Sequence, residues 1–203
     1  MSKVAIKGAA TGTGVFTLES PATNTDRTLV LPDEAGTVLT TAGVPASAMP
    51  AGSVLQVVTA TNTTHYYSNS SSYIDLLEAS ITPLSSSSKI LITATLAISK
   101  DNNESFLGRM VRDGSPISGA GGANASGTQE NGNWWNVRST PYSPAPYTIQ
   151  YLDSPSSTST ITYKAQGKTS NAAIYFAINR AILGTTIYSS PTFSAITLME
   201  IAA

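Results

Sequence analysis

The residues that could do chemistry are few and far apart. His65, in Thr63-Thr64-His65-Tyr66-Tyr67, is the single histidine, the side chain best suited to proton transfer near neutral pH. No acid and no second ligand stand near it in sequence, and a histidine metal site needs three or four ligands. It therefore reads as a surface or subunit-contact residue. Asp101 and Glu104, in Lys100-Asp101-Asn102-Asn103-Glu104, could form an oxygen cluster for a cation; the same string reads more simply as a polar turn between two strands. Asp75 and Glu78 stand on the approach to a strand and show no pairing logic. Gly8-Ala9-Ala10-Thr11-Gly12-Thr13-Gly14 has the glycine content of a phosphate-binding loop, but lacks the preceding strand, the following helix and the lysine. Cysteine is absent, which excludes thiol nucleophiles, disulfides and cysteine-ligated metals. Neither cofactor, metal nor enzymatic activity is expected.

Binding is better represented than catalysis. Residues 113–146 hold six glycines, four prolines and both tryptophans, a long interval of the kind that is functional or mobile in a compact domain. Trp134, Trp135, Tyr142 and Tyr147 could stack on host-surface glycan or anchor a protein contact. The plainer alternative packs them under their own loop or at a subunit contact. Arg109, Arg112, Arg138 and Arg180 lie in separate segments, which suits hydrogen-bonded anchoring better than a phosphate site.

Composition narrows the class further. Charged residues make up 11% of the 203 residues, under half the usual share. Serine and threonine fill the gap at roughly a quarter of the chain. Their hydroxyls cost less to desolvate than Lys or Glu, which suits tight subunit contacts. The net charge is −1 with no run of either sign, so no footprint for nucleic acid is visible. No segment has the apolar run of a signal peptide or a membrane span. A chain made and held soluble in a cytoplasm until assembly is expected.

The elements that must position these residues are strands. Lys89 to Ser99 alternates, with Ile90, Ile92, Ala94, Leu96 and Ile98 on one face and Thr93, Thr95 and Ser99 on the other. Further strands are predicted at 53–60, 73–81, 105–112, 146–152, 159–167, 173–179 and 193–201, divided by Ser, Asn, Gly and Pro clusters. No helical period persists over three turns. The expected fold is all-β: an N-terminal β-arm and linker over 1–50, then an antiparallel, jelly-roll-like sandwich over 51–203. The arm carries predicted strands at 15–19, 27–31 and 37–40. It has too few large apolar residues for a core of its own. It should fold against copies of itself or another protein.

One family resemblance rests on these strings. Gly14-Val15-Phe16-Thr17-Leu18-Glu19-Ser20-Pro21, followed by Arg27-Thr28-Leu29-Val30-Leu31-Pro32-Asp33-Glu34-Ala35-Gly36-Thr37-Val38-Leu39, resembles a module that recurs in tail fibre and related virion proteins of tailed bacteriophages. Arg112-Asp113-Gly114-Ser115-Pro116-Ile117, Leu152-Asp153-Ser154-Pro155, Ile161-Thr162-Tyr163-Lys164, Ile178-Asn179-Arg180 and Ser194 to Ala203 resemble pieces of a domain in fibre-like proteins of environmental and cyanobacterial phages. The resemblance implies a homotrimeric tail fibre or spike subunit, with Phe16, Leu18, Arg27, Leu29 and Leu31 in the virion-attachment segment. Its implied partners are other virion proteins, of tail or capsid, and host-cell glycan. The alternative it leaves open is a head fibre or capsid decoration protein with a purely structural role.

Overall fold

The computed structural model describes residues 11–15, 17, 22, 24–26, 28, 44–100, 106–117, 144–182 and 192–203, and the backbone of 134–135. By its internal contacts the chain divides into two units, Met1–Val38 and Leu39–Ala203. In the first unit every described residue is exposed. Val15, Thr17 and Thr28, the described members of the first two predicted arm strands, are not in strands. The rest of those strands, and the one at 37–40, lie outside the described residues.

The second unit is built from strands. Its described residues form one 3-10 turn, Ala46–Ala48, in the predicted linker, and eleven strands: β1 (Val54–Asn62), β2 (Tyr66–Ser68), β3 (Ile74–Ile81), β4 (Lys89–Lys100), β5 (Phe106–Arg112), β6 (Ser115–Pro116), β7 (Trp134–Trp135), β8 (Ala145–Asp153), β9 (Ile161–Thr169), β10 (Phe176–Ile178) and β11 (Ser194–Ile201). All pairings are antiparallel. The first sheet runs β8-β4-β11-β1, with β10 and β2 continuing the rows of β11 and β1. The second runs β3-β9-β5, with β6 and β7 sharing the far edge of β5.

The two sheets pack face to face as a sandwich. Alternation does this: Ile90, Ile92, Ala94, Leu96 and Ile98 of β4 are fully buried, as are Ile196 and Leu198 of β11. They meet Leu77, Ala79 and Ile81 of β3, Tyr163 and Ala165 of β9, and Phe106 and Met110 of β5. Burying each large aliphatic chain contributes roughly 1.5–3 kcal/mol. Phe106 and Phe176 join the sheets edge to face, with ring centroids 5.0 Å apart. Gly167 is the small residue this requires. A Cβ there would lie 2.5 Å from Cζ of Phe106 and 2.7 Å from Cδ1 of Leu76, so the ring crosses β9 where no side chain stands.

Some boundaries differ from expectation for local reasons. The strand predicted at 173–179 shrinks to Phe176–Ile178, because Asn171 holds a turn: its side chain accepts from the Ala173 N–H and its carbonyl from the Ile174 N–H. Within the interval 113–146, Asp113-Gly114 closes a two-residue hairpin between β5 and β6. Both residues have positive φ, 48° and 82°, which Asp-Gly accommodates. The remainder of that interval up to Ser143, apart from Ser115–Ile117 and the backbone of β7, lies outside the described residues.

Candidate functional site

The predicted aromatic contact residues separate in the structure. Trp134 and Trp135 form β7, paired with Gly108 and Leu107 of β5. Tyr142 lies outside the described residues. Tyr147 belongs to β8, where it packs with Ile149 and Tyr151 against the core; burial raises the pKa of its hydroxyl. The alternation of β8 instead turns Pro146, Thr148, Gln150 and Leu152 outward. Among the described residues, other aromatics are exposed. Tyr66 and Tyr67 stand on β2, Tyr67 stacked on Tyr175 at 4.6 Å between centroids, and Phe193 precedes β11. Their sequence signal was the Tyr-Tyr pair beside His65, which is itself exposed. Phe16, Leu18, Arg27, Leu29 and Leu31 lie outside the described residues.

The charged residues engage one another. At one end of the sandwich, Arg112 from the end of β5 donates through Nη1 to both carboxylate oxygens of Asp153, at 3.0 and 2.8 Å. The hydroxyl of Tyr163 on β9 donates to Oδ2 at 2.7 Å. Asp153 and Tyr163 are buried. Burial raises the tyrosine pKa strongly, and its bond to the carboxylate adds to the shift. The bond to Asp153 raises that of Arg112. A cleft of about 260 Å³ opens beside them, bounded by Arg112, Pro116, Ile117, Tyr151 and Ser154. Arg109 lies 3.8 Å over the Tyr73 ring and donates to Gln166 at 2.8 Å. Arg180 donates to the Ala181 carbonyl. The three described arginines thus anchor local structure, and Arg138 lies outside the described residues.

Asp75 and Glu78, which show no pairing logic in sequence, do have a partner. Lys164, opposite Glu78 in the β3-β9 ladder, lies 2.7 Å from Asp75 and 3.1 Å from Glu78. Cross-strand neighbours 86 and 89 residues away cannot be seen in a local string. Among the described residues, no group of three or more His, Asp or Glu side chains could hold a metal ion. Asp101 and Glu104 lie outside them.

Glu200 is the most buried carboxylate of the described set. It falls on the inward register of β11 with Ser194, Ile196 and Leu198. Its Oε1 accepts the N–H groups of Leu84 and Ser85, and its Oε2 accepts Nε2 of Gln56 at 2.6 Å. Burial pushes its pKa up, but these donors outweigh burial and hold it below the usual 4.5. A depressed folded-state pKa stabilises the fold above the unfolded value, and that contribution is lost as pH falls through the folded value. Glu200→Gln should therefore cost about 2 kcal/mol at pH 7, and less as the pH drops below about 4.5. Urea titrations at pH 7 and at pH 3.5 check this; a penalty equal at both would contradict it.

The outer faces of the two sheets differ. The ladders of the first sheet align three outward rows of four: Val57-Met199-Leu91-Leu152, Thr59-Thr197-Thr93-Gln150 and Thr61-Ala195-Thr95-Thr148. None of these side chains is charged. The outer face of the second sheet carries Asp75, Glu78, Lys164 and Arg109, with Lys168 at 4.9 Å from the Tyr73 ring.

No protein-family model matches this chain, and no curated protein sequence matches it.

Proposed function

We propose that this chain is a structural subunit of a tailed-phage virion, a homotrimeric fibre or spike protein whose β-domain projects from the particle and contacts the host surface. The observation that carries the reading is the strand order. β1-β11-β4-β8 faces β3-β9-β5 with β6 and β7, and the chain crosses between the sheets at six of the ten steps from strand to strand. Taken as eight rows, this order supports a jelly-roll reading, an architecture used by viral capsid and lectin domains. The resemblance of the 14–39 module to tail fibre proteins supports the same reading. So does the economy of charge: the described arginines and buried carboxylates stabilise local structure, which suits a protein that binds rather than reacts. Both sheets leave edges, the first at β8 and at β1 with β2, the second at β3, and a closed cyclic assembly covers such edges. The exposed rings of Tyr66, Tyr67 and Phe193 offer stacking surfaces for host glycan.

Antibody raised against the full chain, applied to intact phage particles and imaged by electron microscopy, tests the proposal. Label at tail appendages is the expected result. Label on the head would turn the assignment to a head fibre or decoration protein, and particles without label would overturn both.

A further inference from the structure

We propose that the outer face of the first sheet is the surface through which copies of this chain associate. The inference rests on the reading that the chain forms a homotrimer, and it names the contact. Three observations carry it. First, the face has no charge across its three rows, and exposed Lys89, opposite Ile201, stands one row beyond them, whereas several charges collect on the opposite face of the sandwich. An uncharged face is the one that loses least on leaving water. Second, five of its six threonine hydroxyls have partners within the face. Thr95 and Thr148 share a hydrogen bond at 2.8 Å, Thr59 and Thr197 one at 3.4 Å, and Gln150 donates to Thr93 at 3.4 Å. Covering the face therefore strands few donors. Third, the row at its end is apolar and open: Val57 is 54% exposed and Leu152 46%, with Met199 and Leu91 between them.

Charge matching selects the occupant. A charged partner surface would lose its hydration and meet no countercharge here. A second copy of the same three rows brings no charge, and hydroxyls mostly satisfied in the same way. The three rows span about five residues on four strands about 4.8 Å apart, on the order of 300 Å² before side-chain relief is counted. The flanking strand ends therefore share in a contact of the roughly 600–800 Å² per partner that a specific interface buries. Three copies turning this face toward one axis leave the charged sheet outward, in water.

The chain has no cysteine, so a single introduced one reports a position unambiguously. Full-length Thr197→Cys and Thr162→Cys, each carrying a nitroxide, place labels on the first and second sheets respectively. Dipolar broadening between copies is expected at position 197 and not at 162, and dilution with unlabelled protein should remove it. Separately, Thr93→Lys should raise the concentration at which the trimer half-dissociates by on the order of 100-fold or more, through like charges facing one another. Ser80→Lys, on the second sheet, should leave that concentration unchanged. If Thr93→Lys fails to fold, the label at 197 decides. A wild-type trimer with no broadening at 197 overturns this contact and leaves the trimer standing. A wild-type protein that sediments as single chains at all concentrations overturns both.

Discussion

Asp153→Ala will lower the stability of the β-domain by about 3 kcal/mol. The carboxylate receives Nη1 of Arg112 on both oxygens and the hydroxyl of Tyr163 on one. Removing it strands the Tyr163 hydroxyl, which has no solvent exposure; a buried unsatisfied group costs about 1–3 kcal/mol. The lost charge-assisted bonds to Arg112 add to this. The arginine side chain keeps 38% exposure, so it can turn to water, and the full roughly 3–5 kcal/mol penalty of a broken buried ion pair does not apply. Asp153→Asn keeps an acceptor for Tyr163 and should cost less, about 1–2 kcal/mol. Tyr163→Phe removes the stranded donor, so combining it with Asp153→Ala should cost less than the sum of the two. Urea denaturation of the four variants measures this cycle. A loss under about 1 kcal/mol for Asp153→Ala would show that the network does not hold β5, β8 and β9 together.

Asn179→Ala will cost a similar amount, about 2–4 kcal/mol, for a different reason. Here the sheet is interrupted twice at one level. β10 ends at Ile178 and its row resumes at Ser194, while β1 ends at Asn62 and its row resumes at Tyr66. The buried amide of Asn179 spans both breaks. Nδ2 donates to the carbonyls of Asn62 and Thr64 at 2.8 and 3.0 Å, and Oδ1 accepts from the Ser194 hydroxyl at 2.7 Å. That hydroxyl accepts in turn from the Ala97 N–H of β4. The Asn179 N–H donates to the Ala97 carbonyl, and its own carbonyl receives the Thr192 N–H. The residue sits at φ 63°, a conformation Asn tolerates and Ala does not. Asn179→Gly loses the same bonds but relieves the backbone. It should therefore recover roughly 1 kcal/mol relative to alanine. Equal losses for the two variants would contradict the backbone part of this account. Amide exchange at Ala97 should accelerate in both.

These two clusters mark where sequence reading ends. The strands were legible because period two is a local property. The alternation of 89–99 places Ile90 to Ile98 in the core whatever the partner strand, and the inward register of β11 follows from Ile196 and Leu198. The same register placed Glu200 inside, a charged residue in an apolar row that local pattern could have flagged. Asp113-Gly114 was a hairpin signal in plain view. The short strands were not legible: Tyr66–Ser68 and Trp134–Trp135 are too brief to show a period and exist because an edge was available to pair with.

Composition and alternation by themselves determined that this chain is all-β, poor in charge and built from facing sheets. Only the tertiary structure decided which residues meet. Arg112 and Asp153 lie 41 residues apart, and Asp75 reaches Lys164 across 89; register, not sequence distance, joins them. It also decided that Tyr147 faces the core while Leu152 faces out. Alternation sorts a strand into two sets, but which set is buried depends on the sheet laid against it.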